Sequence, residues 1–334
     1  MAYKIIQAIA DYCFNLQFYL ASLGILINTL HLITLSQKSM RANAINLILI
    51  GIAISDILFL IYPVHWRILE DSRCEPPTWL QILIKWIVLY CKDIFRRNST
   101  WLGVIMALIR AIVMRYCTSP RIEVLLKPAT SLSVLLSVTL ISFLVSSINM
   151  ARLQITRNTD WIQPEGCQMY PDNSTYFELN QNELLVPYHE EITHAYMLID
   201  GLIRSIPPFL YPFLAGTLIL ELRKARRHRR ALKSDKDTDN TSRIVIWMTV
   251  SYVLVETPLG LAYLAQMEYG GSLKLFILIN NIVIIFTDIY MFYCSLHCVI
   301  CFLLSSEYRK AMGGLFGCWR TPKPSDSQSP VVTF

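Results

Sequence analysis

Lys85, Lys92 and Arg96 are separated by seven and four residues. A period of 3.6 residues per turn stacks such positions on one helix face. A stripe of cations in an otherwise apolar helix does one of two things. It holds an acidic or carbonyl-rich ligand, or it pairs with acids of the same chain. Glu256 and Asp288 are the acids deep in later apolar segments, and both readings of Lys92, Arg96, Glu256 and Asp288 stand: a ligand pocket, or an internal set of ion pairs. Asp93 and Arg97, four apart on a neighbouring strip, are spaced to pair with each other. The histidines of His189-Glu-Glu-Ile-Thr-His194 are five apart in what reads as a loop, whereas a zinc-binding helix needs them four apart, so no metal is expected. Nothing in the sequence forms a phosphate-binding glycine loop, a nucleophile elbow or an ordered Ser-His-Asp set, so an enzyme is not expected either.

Those ionisable residues lie in an unusual setting. Of 334 residues, 54% are hydrophobic and 16% charged, against roughly 25% charged in soluble chains; the mean hydropathy is +0.43. A helix crosses the hydrocarbon core with about 20 mostly apolar residues. Seven stretches qualify, over about 15–36, 44–64, 79–114, 129–151, 196–220, 243–267 and 274–303. The fold expected is an all-α membrane protein, a seven-transmembrane helix bundle. Residues 1–14 form a short outer N-terminus, and residues 304–334 an inner tail with an amphipathic helix over 305–316. The fifth stretch holds Pro207, Pro208 and Pro212, which remove backbone donors and loosen it.

Lysine and arginine mark cytoplasmic loops. They concentrate at Lys38 and Arg41, from Arg110 to Lys127, from Arg223 to Arg243 and from Arg309 to Lys323, while acids from Glu70 to Glu191 populate the opposite loops. The N-terminus is therefore expected outside. Residues 1–14 lack the features of a cleavable signal peptide, so the first span serves as its own insertion signal. Cys13, Cys74 and Cys167 fall on the outer, oxidising side. A Cys74–Cys167 bridge would pin the long loop over the bundle mouth; free loop thiols are the alternative. Cys91, Cys117, Cys294, Cys298 and Cys301 read as small buried hydrophobes, and Cys318 as either a palmitoylation site or an unmodified tail thiol. Asn173-Ser-Thr is a glycosylation sequon in the right compartment; the sequons at Asn98 and Asn240 are excluded by topology.

An ordered series of short motifs carries a family likeness. It runs through Gly24-Ile-Leu-Ile-Asn28, His31, Lys38-Ser-Met-Arg41, Asn46 and Gly51-Ile-Ala-Ile-Ser-Asp56, then Asp71-Ser-Arg-Cys74-Glu-Pro-Pro77 and Arg96-Arg-Asn-Ser99-Thr-Trp-Leu102. It continues through Met106-Ala-Leu-Ile-Arg110, Leu220-Glu-Leu-Arg-Lys-Ala225, Glu256-Thr-Pro-Leu-Gly260, His297-Cys-Val-Ile-Cys301 and Ser305-Ser-Glu-Tyr-Arg309. This resembles the nematode serpentine receptor class W family, a rhodopsin-like branch similar to FMRFamide-type peptide receptors. The likeness implies a plasma-membrane receptor that couples an extracellular ligand to a heterotrimeric G protein, with a peptide ligand expected and a small environmental molecule as the alternative.

The same likeness assigns residues. Arg110 falls at the activation arginine, with Ile109 in place of the usual acid before it. Pro258 matches the kink of the sixth span, and Glu256 stands where relatives carry a toggle tryptophan. The NPxxY motif is replaced by Tyr293-Cys-Ser-Leu-His297. Apart from the likeness, the basic run through Arg223, Lys224 and Arg226 extends the fifth span, to touch the G protein or anionic lipid or to serve simply as a topology anchor. Asn28, Asp56 and Ser99 resemble a polar switch, with Asp56 a candidate sodium or water site; a purely structural hydrogen-bond knot is the other reading. Lys92 and Arg96 lie four to five turns outward of Arg110, at ligand depth. Two other membrane classes fit less well. No internal repeat suggests a transporter or channel, and no lysine inside the seventh span could hold retinal.

Overall fold

The computed structural model describes residues 2–71, 74–116, 122–162, 167, 174–232, 237–268, 273–315 and 317. Its long helices are α1 (Ala2–Leu35), α2 (Ala44–Asp71), α3 (Trp79–Arg115), α5 (Pro128–Ala151), α6 (His189–Leu232), α7 (Asp237–Glu268) and α8 (Leu273–Leu304). A single turn, α4 (Ile122–Leu125), precedes α5, and a short helix, α9 (Ser306–Leu315), follows α8. Six helices carry runs long and apolar enough to cross a membrane, and α7 contributes the shorter apolar run Val250–Ala262.

Local chemistry explains the ends. Thr78 caps α3: its hydroxyl accepts from the Gln81 amide while the Gln81 side chain accepts from the Thr78 amide at 2.7 Å, satisfying two donors that a helix start leaves open. Pro128 begins α5, where a missing N–H costs nothing. Helix α1 reaches back to Ala2 through residues 2–14 of the expected outer segment, because Ile5, Ile6, Ala8 and Ile9 prolong the helix-forming pattern without a proline or glycine to stop it. His189–His194, expected in a loop, opens α6.

Between α5 and α6 the chain forms an antiparallel hairpin, β1 (Leu153–Trp161) with β2 (Ser174–Gln181), followed by a 3-10 segment, Glu183–Tyr188. The register pairs Leu153 with Gln181 and Arg157 with Phe177, with an irregularity between Asn158 and Trp161. The Phe177 amide donates to the Pro77 carbonyl at 2.9 Å, and a disulfide joins Cys74 to Cys167 with Cα atoms 5.4 Å apart. Both ties hold the hairpin against the start of α3.

Helix α3 is central and packs on α2, α5, α6 and α7, while α1 packs on α2 and α8. One apolar core gathers Phe59, Leu60, Tyr211, Tyr252, Leu259, Tyr290 and Tyr293; a second gathers Ile48, Ile52, Leu102, Met106, Cys298 and Tyr308. Helix α5 leaves Leu136, Leu140, Phe143 and Leu144 exposed, as a lipid-facing surface does.

Candidate functional site

Two polar clusters are buried against α3. The first is ionic. Arg97 donates to the Ser142 carbonyl at 2.9 Å and the Ser146 hydroxyl at 3.0 Å on α5, and to Asp200 on α6 at 2.6 Å. Arg204 donates to the other oxygen of Asp200 at 2.6 Å and reaches Asp93 at 3.5 Å. Arg96 faces Glu256 of α7 at 4.0 Å, and Glu256 accepts from Thr100 at 3.0 Å. The Arg96 guanidinium also lies over the Tyr290 ring at 4.8 Å, a cation–π contact that strengthens when desolvated. Three arginines thus meet three carboxylates, as buried charge requires.

The expected Asp93–Arg97 pair is corrected here: Asp93 meets Arg204, because Arg97 reaches three acceptors across two other helices. An exposed pair of four-residue spacing is worth only about 0.2–0.5 kcal/mol. Asp200 and Arg204 were absent from the sequence-derived candidates. Their own four-residue spacing, acid first, was the available signal. Lys92 lies over the Tyr62 ring at 4.0 Å and Lys85 over Trp66 at 5.4 Å, so the cation stripe diverges, its first two members toward α2 aromatics and Arg96 toward Glu256. Asp288 is buried but lies against α1, beside Gln17 and Cys13.

The second cluster has one carboxylate. Asp56, with no exposed surface, accepts from the Ser99 hydroxyl at 2.6 Å, and His297 Nδ1 stands 3.4 Å from its other oxygen. His297 Nε2 bonds the Tyr293 hydroxyl at 2.7 Å. Tyr211 and Tyr252 stack at 4.7 Å with planes 8° apart, and Tyr252 leans on Tyr293 at 4.7 Å, so an aromatic ladder from α6 through α7 reaches this knot on α8. The Tyr211 hydroxyl donates to the Thr100 carbonyl at 2.7 Å. Gly103 makes room: a Cβ there would stand 2.6 Å from the Tyr211 hydroxyl oxygen. Asn28 is fully buried, and its side-chain amide donates to the Gly24 carbonyl of its own helix at 3.0 Å. His297 and Tyr293 were missed because the altered motif at the end of the seventh span was read as a loss; their four-residue spacing was the signal for a new pair.

Helices α6 and α7 meet at the prolines. Pro212 cannot donate to the Pro208 carbonyl four residues back, and the Thr257 hydroxyl of α7 lies 3.4 Å from that oxygen. Gly260 permits the approach, since a Cβ would stand 2.5 Å from the Pro208 ring. Pro258 sits between these two contact residues. At the far end of α3, Arg110 is partly buried beside buried Ile109, and no ion pair to it occurs among the described residues. Arg223 and Lys224 are exposed on the extension of α6, which also carries Arg226. Helix α9 docks through Tyr308, whose hydroxyl meets His31 at 2.7 Å and Cys298 at 3.4 Å. Cys294, Cys298 and Cys301 are buried, and Cys13 and Cys91 partly so. Asn173, Cys117 and Cys318 lie outside the described residues.

No curated protein matches the chain. A family model described as serpentine type 7TM GPCR chemoreceptor Srw matches residues 15–319. That span contains every residue of both buried clusters and all seven long helices apart from the first turns of α1. The chain belongs to the Srw family of serpentine seven-transmembrane G-protein-coupled chemoreceptors.

Proposed function

We propose that this receptor converts binding of an extracellular ligand with an acidic or carbonyl-rich group into G-protein activation by competing for Arg96. The observation that carries the reading is the buried Arg96–Glu256 pair, which links α3 to α7 at 4.0 Å. A ligand oxygen presented to Arg96 weakens that link and frees α7, which is joined to α6 at Thr257 and Gly260. Lys92, one turn outward of Arg96, guides the same group inward, and Asp288 takes a cationic or donor part of the ligand.

The ligand favoured is a peptide, in keeping with the resemblance to FMRFamide-type receptors. A small environmental molecule is the second reading, favoured by the chemoreceptor description of the family. The outer face carries the N-terminus, the disulfide and a glycan on Asn173; Arg223, Lys224 and Arg226 face the G protein and anionic lipid. Arg110 and Pro258 act in activation. Asn28, Asp56 and Ser99 serve state switching, with Na⁺ or water beside Asp56. No enzymatic step is part of this reading, and transport is the different-class alternative.

The test is G-protein activation in cells expressing the chain, against amidated peptides, small organic acids and volatile compounds, beside Arg96→Gln and Arg110→Ala at matched surface expression. An agonist whose potency falls at least tenfold in Arg96→Gln, and whose response vanishes in Arg110→Ala, supports the reading. An agonist indifferent to Arg96→Gln refutes the competition, and ligand-driven solute uptake without G-protein activation refutes the receptor.

A further inference from the structure

A cavity lies between the outer part of α3, the end of α5 and the 3-10 segment. Its volume is about 600 Å³, and Trp86, Ile87, Tyr90, Ser147, Met150 and Leu185 are among its lining residues. Pockets of roughly 300–1,000 Å³ hold drug-sized molecules. The cavity shares no lining residue with the arginine network.

Its chemistry is narrow. None of the lining side chains is charged. The Tyr90 hydroxyl and Ser147 hydroxyl meet at 2.7 Å, and Ser147 donates to the Phe143 carbonyl at 2.9 Å. Asn182 is occupied on both sides, donating to the Ala151 carbonyl at 3.1 Å and accepting from the Leu184 amide at 3.1 Å. The polar group left over is the indole N–H of Trp86, which is buried with no acceptor among the described residues. A buried donor in that state is costly and is normally matched by some acceptor.

The flanks of the cavity are apolar and exposed: Ile87 at 50%, Phe143 at 47% and Leu144 at 57%. These residues fall within the membrane-crossing runs Trp79–Arg115 and Pro128–Ala151, near the ends that adjoin the hairpin. The cavity therefore opens sideways toward lipid, beneath the 3-10 segment. A peptide backbone would bring many donors and acceptors to a site that offers one unmatched donor. A phospholipid headgroup would bring charges with no counter-charge to meet them.

We propose that this cleft binds an uncharged, apolar small molecule bearing a single carbonyl acceptor, a ketone, ester or aldehyde that arrives through the bilayer. Its chain packs on Ile87, Met150 and Leu185, and its oxygen accepts from Trp86 after a small turn of the indole. The occupant sits on the same α3–α5 seam that Arg97 bolts one face-repeat further in, through Ser142 and Ser146. Binding there bears on the position of Arg97 without touching it.

The experiment uses the full chain in nanodiscs and a medium-chain methyl ketone carrying a photoactivatable diazirine, with crosslinks mapped by mass spectrometry. Saturable labelling is expected in 84–90 and 147–153, displaced by the unlabelled ketone. Trp86→Phe keeps the ring and removes the donor; it should weaken ketone binding about fivefold while leaving the matching alkane unchanged. Met150→Trp fills the cleft and should reduce labelling about tenfold. If Met150→Trp does not fold, Trp86→Phe decides alone. Labelling that does not saturate, that is displaced only by phospholipid, or that is the same in wild type and Trp86→Phe overturns the assignment.

Discussion

The ionic network around Arg97 and the knot around Asp56 meet α3 within one turn of each other, yet they neutralise buried polarity by opposite means. The network sets three guanidiniums against three carboxylates drawn from α3, α6 and α7. The knot surrounds a single carboxylate with a hydroxyl, an imidazole and, behind them, tyrosines. Removing one charge from the first strands its partners in a low-dielectric interior, where the loss is severe. Removing one hydroxyl from the second leaves neighbours that can still share the remaining bonds. A competing charge would therefore disrupt the network, whereas the knot can redistribute its remaining hydrogen bonds.

Asp200 is the sharpest place to test that contrast, because two arginines share its carboxylate at 2.6 Å each. Asp200→Ala should cost about 3–5 kcal/mol, the usual loss when one partner of a buried pair is removed. It would be read as a lower melting temperature of the solubilised receptor and poor surface expression. Asp200→Ala combined with Arg204→Met should recover part of the loss. A single variant with wild-type melting would mean that water screens the network and the comparison fails.

Glu256→Gln should cost less, about 1–3 kcal/mol. The Arg96 pair is longer at 4.0 Å, the guanidinium keeps its place over Tyr290 at 4.8 Å, and Thr100 can still donate to the amide oxygen. The informative readout is signalling rather than melting. Raised ligand-independent G-protein activation at equal surface expression is the expected outcome, because the variant imitates a ligand that has taken Arg96. Unchanged basal activity would break the competition reading and leave the pair a structural one.

The two clusters also differ in how far the sequence disclosed them. Spacing along one helix was readable: the stripe of Lys85, Lys92 and Arg96 follows from period alone, and so do the long apolar runs that became the helices. Partners across helices were not. Arg97 was assigned to Asp93 because four-residue spacing is visible along a chain, whereas Ser142, Ser146 and Asp200 come from two other helices whose rotation no single-chain pattern fixes. Asp56 and Ser99 were named through family likeness, and the structure brings them to 2.6 Å. His297 and Tyr293 stood in a motif judged only by what it lacked. The hairpin between α5 and α6 escaped for a different reason: β1 and β2 alternate weakly and leave most side chains half-buried, so no two-residue period stands out.

Within the knot, Ser99→Ala removes the 2.6 Å donor to Asp56. A buried acceptor left unsatisfied costs about 1–3 kcal/mol. The low end is expected here, since His297 stands 3.4 Å from the other oxygen and can turn toward the carboxylate. A loss as large as that of Asp200→Ala would erase the distinction between the two clusters.

Tyr252→Phe should be the mildest change of all, at about 0.5 kcal/mol. Its hydroxyl donates to the Ser99 carbonyl at 3.3 Å, a long bond, and a helix carbonyl at that position already has the amide of residue 103 as its own partner. The ring is what matters: it stacks on Tyr211 at 4.7 Å and leans on Tyr293 at 4.7 Å, and phenylalanine keeps both contacts. Equal melting temperature with unchanged agonist potency is therefore the expected pair of results. A stable variant with altered potency would show that the hydroxyl, not the ring, links α7 to the Asp56 knot. The knot would then resemble the ionic network more closely, because a single directional bond between helices would set the signalling state in both.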